Sequence, residues 1–335
     1  MIKDVLIFVP HPDDEINLVG GLFDEFHKNK IHTTVVITTN GDYNPKYTAK
    51  RIQEARKVQR IFQYEELYFL GYGDGYKGVH IVDLKEGEVA VSQSGHNQTY
   101  CVGFEQDYCY LTTGLHHPYT RQNYKNDIKR VILDKKADLI ICVDKDSHPD
   151  HQCLSQLFDE SMREIQVVIK DYRPVVLKGF AYMGAWKGLP DFFSPILQPI
   201  QPCNDNRTLR MDACLPYKWE DRVRLKNAPS ATTQNPFKNK IFKALRAYST
   251  QCRYISANDC AIAKFPRVAN PETCLWVFCC GNELGIEEAL KPLCFYDLLE
   301  QKSQSKWIRM LLSILFDLYI QCLLFRNKIM FKIHP

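Results

Sequence analysis

The sequence predicts an α/β fold, a mostly parallel sheet flanked by helices that also carries an inserted loop and strand segment, a proline-rich cap and C-terminal helices. Three observations predict it. Short continuous apolar runs alternate with helical periodicity through the first 180 residues, two of those runs end in turns rich in His and Asp, and prolines crowd one later stretch. The 335 residues are 45% hydrophobic and 24% charged, which fits a globular chain with a sizeable core and excludes collagen-like or wholly disordered classes. The net charge of +4 is too small and too dispersed to imply a nucleic-acid partner.

Val5 to Val9 is an apolar run of the kind that forms a strand buried on both faces, ending at Pro10-His11-Pro12-Asp13-Asp14. A single helix is expected next, capped by Asp13 or Asp14, with Ile16, Val19, Leu22, Phe23 and Phe26 on one face and Gly20-Gly21 allowing close approach to the sheet. The alternation then repeats. Thr33 to Thr39 and Leu67 to Leu70 read as strands around a helix from Lys46 to Phe62. Tyr76 to Asn123 breaks the rhythm and is read as an insertion with short strands that covers part of the molecule. A helix from Asp127 to Lys135, a strand from Ala137 to Val143, a helix from His151 to about Ile169 and a strand from Val175 to Tyr182 complete a core over residues 1–185. Residues 186–335 read as a cap segment and helical extension packed on the same domain, with prolines up to Lys240, Trp186 and Trp219 as apolar anchors, a helix at Lys238–Thr250, a strand at Thr273–Cys280 and helix from Ile286 onward.

Two motifs stand at carboxyl ends of expected parallel strands, where open α/β sheets place their ligand crevice. In His11-Pro12-Asp13-Asp14-Glu15, His11 and Asp14 are three apart and can offer an imidazole and a carboxylate to one divalent ion, while Asp13 points elsewhere. In His148-Pro149-Asp150-His151, one histidine can complete the ligand set and the other stand beside a substrate. A His/His/Asp set leaves a coordination position open for water, and an unliganded carboxylate such as Asp13 can take that water's proton. Either motif alone is more often a capped turn; the pair, at two strand ends of one sheet, favours chemistry.

Taken with Gly20-Gly21, Thr39-Asn40-Gly41-Asp42, Arg51, Glu54 and Leu70-Gly71-Tyr72-Gly73-Asp74-Gly75, these motifs resemble the PIG-L/LmbE family of zinc-dependent N-acetylglucosamine deacetylases over about residues 4–180. The resemblance implies a Rossmann-like fold in which His11, Asp14 and His151 bind zinc, Asp13 is the general base and His148 assists the charged intermediate or the leaving amine. It matches Arg51 and Asp74 to positions that contact the sugar, and gives Glu15 a supporting role through hydrogen bonds. Fe(II) is the other ion such a ligand set accepts. The expected function is removal of the acetyl group from an N-acetylglucosamine-type conjugate, lipid-linked or not. Cleavage of another amide, in an amino-sugar antibiotic or a thiol conjugate, is the alternative, as is a binding protein that keeps the scaffold without turnover. The insertion is longer than in the smallest members, so acceptor specificity does not carry over.

Four other signals lead elsewhere. Gly73-Asp74-Gly75-Tyr76-Lys77-Gly78 satisfies a dinucleotide-binding spacing, but Val79 to Leu84 alternates like a strand instead of opening the helix a phosphate needs. The 13 cysteines are scattered and odd in number, without C-x-x-C spacing, and the start lacks a signal peptide, so a cytoplasmic chain with buried free thiols is expected. Trp307 to Phe325 is apolar, yet Arg309, Ser313, Asp317 and Gln321 stripe it every fourth residue, which argues against a transmembrane span and for a packed or dimerising helix, with peripheral attachment to the inner membrane face as the sharper alternative. His116-His117, inside the insertion and followed by Pro118, reads first as an exposed turn, with lining the crevice or adding a metal ligand as the alternatives.

Overall fold

A computed structural model describes residues 2–75, 80–146, 148–181, 223–233, 235, 237–251 and 272–278, together with positions 186–187, 201–202, 290 and 293. The apolar runs form five parallel strands: β1 (Asp4–Val9), β2 (His32–Thr39), β3 (Glu66–Tyr72), β4 (Leu139–Val143) and β5 (Val175–Gly179). Two further strands, β6 (Val223–Lys226) and β7 (Glu272–Val277), extend the same sheet antiparallel beyond β5. The seven-stranded order is β3-β2-β1-β4-β5-β7-β6. Ile7 and Phe8 of β1 sit between Val35 and Val36 of β2 and Ile141 and Cys142 of β4, all fully buried, as strands covered on both faces require. Burial of each large side chain of this kind contributes about 1.5–3 kcal/mol.

The helices are α1 (Asp14–Val19), α2 (Phe23–Lys28), α3 (Thr48–Phe62), α4 (Tyr108–Thr113), α5 (Arg121–Lys135), α6 (Pro149–Val168), α7 (Pro229–Thr232) and α8 (Lys240–Ala247). α5 packs on α6, and α8 packs on α3 and α1. Each long helix buries one stripe, such as Ile52, Ala55, Val58 and Phe62 of α3. Among the described residues no helix is long and apolar enough to cross a membrane.

Several expectations are corrected. The single helix after β1 is two, because the chain turns at Gly20–Leu22, where a Cβ on Gly21 would lie 2.2 Å from the Asn227 side chain and Ala228 donates to the Gly21 carbonyl at 2.9 Å. Asp13 occupies the N-cap position of α1 but its side chain makes no capping bond. The described part of the insertion holds no strand beyond the isolated bridges Gln98–Pro118 and Val102–Glu105, and Ile81–Asp83 is a 3-10 turn where alternation suggested a strand. Its regular element is α4, capped by Asp107, whose carboxylate accepts the Tyr110 amide at 2.8 Å. Helix α5 starts at Arg121 rather than Asp127, because the Thr120 hydroxyl accepts the Asn123 amide. Trp219, the helix expected from Ile286, the apolar segment Trp307–Phe325 and most of residues 185–222 lie outside the described residues.

Candidate active site

The order of the sheet reverses between β1 and β4: from β1 the chain moves outward to β2 and β3, then returns to the other side of β1 for β4 and β5. Crevices of open α/β sheets lie at that point, beyond the carboxyl ends of the strands. The loop after β1 carries His11 to Asp14, and the one after β4 leads into α6 with His148 to His151. Motifs 137 residues apart in the chain are thereby brought together.

An oxygen of Asp14 lies 3.1 Å from Nδ1 of His11 and 3.2 Å from Nε2 of His151. The rings of His11, His148 and His151 have centroids 4.6 to 5.5 Å apart, and each offers a nitrogen within 4.8 Å of the others. The outward-facing nitrogens of two of them meet carboxylates: Nε2 of His11 is 3.1 Å from Asp150, and Nδ1 of His151 is 2.7 Å from Asp146. That is the arrangement metal-binding histidines use, one nitrogen on the ion and the other donating to a carboxylate that fixes the tautomer. Asp146 and Asp150 have no role in the sequence reading, although Asp150 lies inside the second motif and Asp146 two residues before it. Asp150 is itself fixed by the Gly75 amide, which donates at 3.2 Å to both its oxygens; a Cβ on Gly75 would stand 2.7 Å from that carboxylate.

Three carboxylates around buried imidazoles create a region of negative potential. Burial opposes charge on His151, but Asp14 and Asp146 outweigh it and raise its pKa to about 9; His11 is likewise held well above the usual histidine value by Asp14 and Asp150. Against burial, the same contacts hold Asp14 well below the carboxylate range and Asp150 at about 2. This donor set therefore draws positive charge, as a divalent-ion site must, and its residues fit zinc in type and number. His148 differs. Burial, reinforced by the charges of His11 and His151, lowers its pKa to about 4, and its Nδ1 caps α6 by accepting the Asp150 amide. A neutral ring with Nδ1 used as acceptor carries its proton on Nε2.

Asp13 sits beside this group with φ of 105°. Nη2 of Arg51 lies 3.6 Å from its carboxylate and Nη1 lies 3.9 Å from Asp74, while the same guanidinium donates to the carbonyls of Gly41 and Pro12. The fold thus brings Arg51 and Asp74 beside Asp13, both buried, Asp74 accepting from Thr39 and Tyr43. Glu15 points away from the ligand set: Tyr248 at the end of α8 donates to it at 2.6 Å and the Asp13 amide at 2.9 Å. Burial raises the Glu15 pKa to about 8, so it is a neutral strut for the loop. Nothing in the sequence links Tyr248 to position 15. Next to Asp74 and Asp150 opens a narrow cleft to which the insertion contributes Ile81, Ala90, Val91 and Ser92.

Residues 6–162 match the family model described as PIG-L: GlcNAc-PI de-N-acetylase. Over this region, just under half of the chain, the protein is similar to the PIG-L family. No curated protein matches it. Among solved structures it is similar to the N,N'-diacetylchitobiose deacetylase of Pyrococcus horikoshii, at 17% identity and a TM-score of 0.35, covering 53% of this chain and 60% of that one. It is similar to the A40926 pseudoaglycone deacetylase Dbv21 at 12% identity and 0.45, covering 83% and 97%, and to the zinc-inhibited form of teicoplanin deacetylase Orf2 at 13% and 0.47, covering 84% and 99%. The chain thus spans less than two thirds of the length of the Pyrococcus protein.

Proposed function

We propose that this protein is a metal-dependent N-deacetylase that converts an N-acetylglucosamine-type conjugate and water into acetate and a free amine. The observation that carries the reading is the convergence of His11, Asp14 and His151 at the sheet's reversal point, with Asp13 and His148 beside them. His11, Asp14 and His151 hold the ion, zinc by ligand type with Fe(II) as the alternative. When bound, the ion supplies a water of lowered pKa and polarises the acetyl carbonyl.

The residues of the chain do the rest. Asp13 takes the proton of the attacking water and returns it to the amine nitrogen as the amide C–N bond breaks. Its strained backbone and the Arg51 guanidinium hold the carboxylate in one place. His148 donates Nε2–H to the oxyanion that develops on the carbonyl oxygen. Arg51 and Asp74 face the sugar from beneath the loop, and the wall built by the insertion selects what the sugar is joined to. Strands β6 and β7 and helix α8, which join the core's sheet and helices, support reading residues 186–335 as an extension of the same domain.

Incubating the zinc-loaded protein with a panel of N-acetylglucosamine conjugates and measuring free amine should give release that a chelator stops and zinc restores. His151→Ala should lose both metal and release. Stoichiometric metal in that variant removes the proposed ligand set; cleavage confined to non-sugar amides favours the amidase alternative, and binding without release the non-catalytic one.

A further inference from the structure

A second cluster of metal-ligating side chains lies apart from this site, where the insertion meets α5. Sγ of Cys109, on α4, is 3.1 Å from Oδ2 of Asp127, and Nδ1 of His117 is 2.8 and 3.0 Å from that carboxylate's two oxygens. Tyr72, at the end of β3, donates to the same carboxylate at 2.7 Å. Cys109 and Asp127 are buried, and sulfur, nitrogen and oxygen all lie within 4.8 Å of one another. Bonds of about 2.0 Å to nitrogen and oxygen and about 2.3 Å to sulfur put tetrahedral zinc donors about 3.3–3.5 Å apart, a few tenths of an ångström beyond the separations of the sulfur and the imidazole from the Asp127 carboxylate.

On its other side Nε2 of His117 lies 3.3 Å from the Thr113 hydroxyl, so both ring nitrogens are held in place. Among the described residues His117 is the sole ion-pair partner of Asp127.

The geometry points to a structural metal site in which Cys109, His117 and Asp127 bind a zinc-like divalent ion and tie the insertion to the core. Thiolate and carboxylate balance the ion's charge, the thiol proton leaves to solvent on binding, and water is the fourth donor. A sulfur and imidazole set selects zinc over magnesium or calcium. Burial and the Asp127 charge push the free thiol's pKa up. The adjacent Cys101, Asp107 and His116 group is the weaker candidate, since Asp107 already caps α4 and its two partners are more exposed.

Cobalt(II) is the probe, because a thiolate ligand gives a charge-transfer band that the sulfur-free His11, Asp14 and His151 set cannot. The full chain should show this band at one equivalent and keep it in His11→Ala/His151→Ala and in Cys101→Ser. Cys109→Ser should lose it together with one equivalent of zinc, and His117→Gln, which preserves size, should lose the zinc and weaken the band with native circular dichroism. No band in the unmodified protein, or a band that survives Cys109→Ser, overturns the site and leaves a histidinium–carboxylate pair. Since the first double variant lacks the proposed catalytic ligands, the outcome is independent of the deacetylase reading.

Discussion

Asp13 holds φ at 105°, a backbone that costs a non-glycine residue about 1–3 kcal/mol, with its carboxylate 3.6 Å from Arg51. Asp13→Gly should therefore raise the urea midpoint while abolishing turnover, a trade of activity for stability. Asp13→Asn should retain metal, measured by elemental analysis, and lose about 10²–10⁴-fold in kcat as a positioned base is removed. Glu15 gives a contrasting test, because its neutral carboxyl serves one buried hydroxyl and one part-buried amide. In Glu15→Gln the amide oxygen can accept from the Asp13 amide while the amide nitrogen donates to the Tyr248 oxygen, and this variant should cost less than about 1.5 kcal/mol in urea denaturation. Glu15→Ala strands both and should cost about 2–5 kcal/mol. Equal losses in the two variants would show that Glu15 is charged in the folded protein.

Helix α8 is eight residues long, and one side chain both caps it and ties it to α7. The oxygen of Asn239 accepts the amides of Ile241 and Phe242, and its nitrogen donates to the carbonyls of Ala231 and Thr233, which joins α7 to α8. A capping side chain is worth about 0.5–2 kcal/mol, and Asn239→Ala should lower stability by at least the middle of that range, since all four contacts are lost. The same helix delivers Tyr248 to Glu15, so this variant should also reduce kcat, measurably at saturating substrate, without touching a proposed ligand. Full activity in a destabilised Asn239→Ala protein would separate α8 from the catalytic loop.

At the scale of the whole molecule, an ion held by His11, Asp14 and His151 would fasten the loop after β1 to the start of α6 across the sheet's reversal point. Binding to the folded state alone stabilises by about 2.7 kcal/mol when free ligand is a hundredfold above Kd. Chelation should accordingly lower Tm of the intact protein, zinc should restore it, and His151→Ala should show a smaller chelator effect. An unchanged Tm on chelation would mean that no ion links these elements.

What the sequence determined by itself was the alternation of apolar runs and helical stretches, because strands buried on both faces must be continuously apolar and their helices periodic; β1 to β5 and helices α3, α5 and α6 follow from that. Both His/Asp motifs were legible for the same reason, since such residues at strand ends have no use in a core. The tertiary structure alone decided the rest. Only the reversal of strand order puts His151 3.2 Å from Asp14, and only packing brings Tyr248 to Glu15, Asn227 against Gly21, and Cys109, His117 and Asp127 around one point. Those contacts join elements whose local periodicity is indifferent to their partners, so no spacing in the chain encodes them.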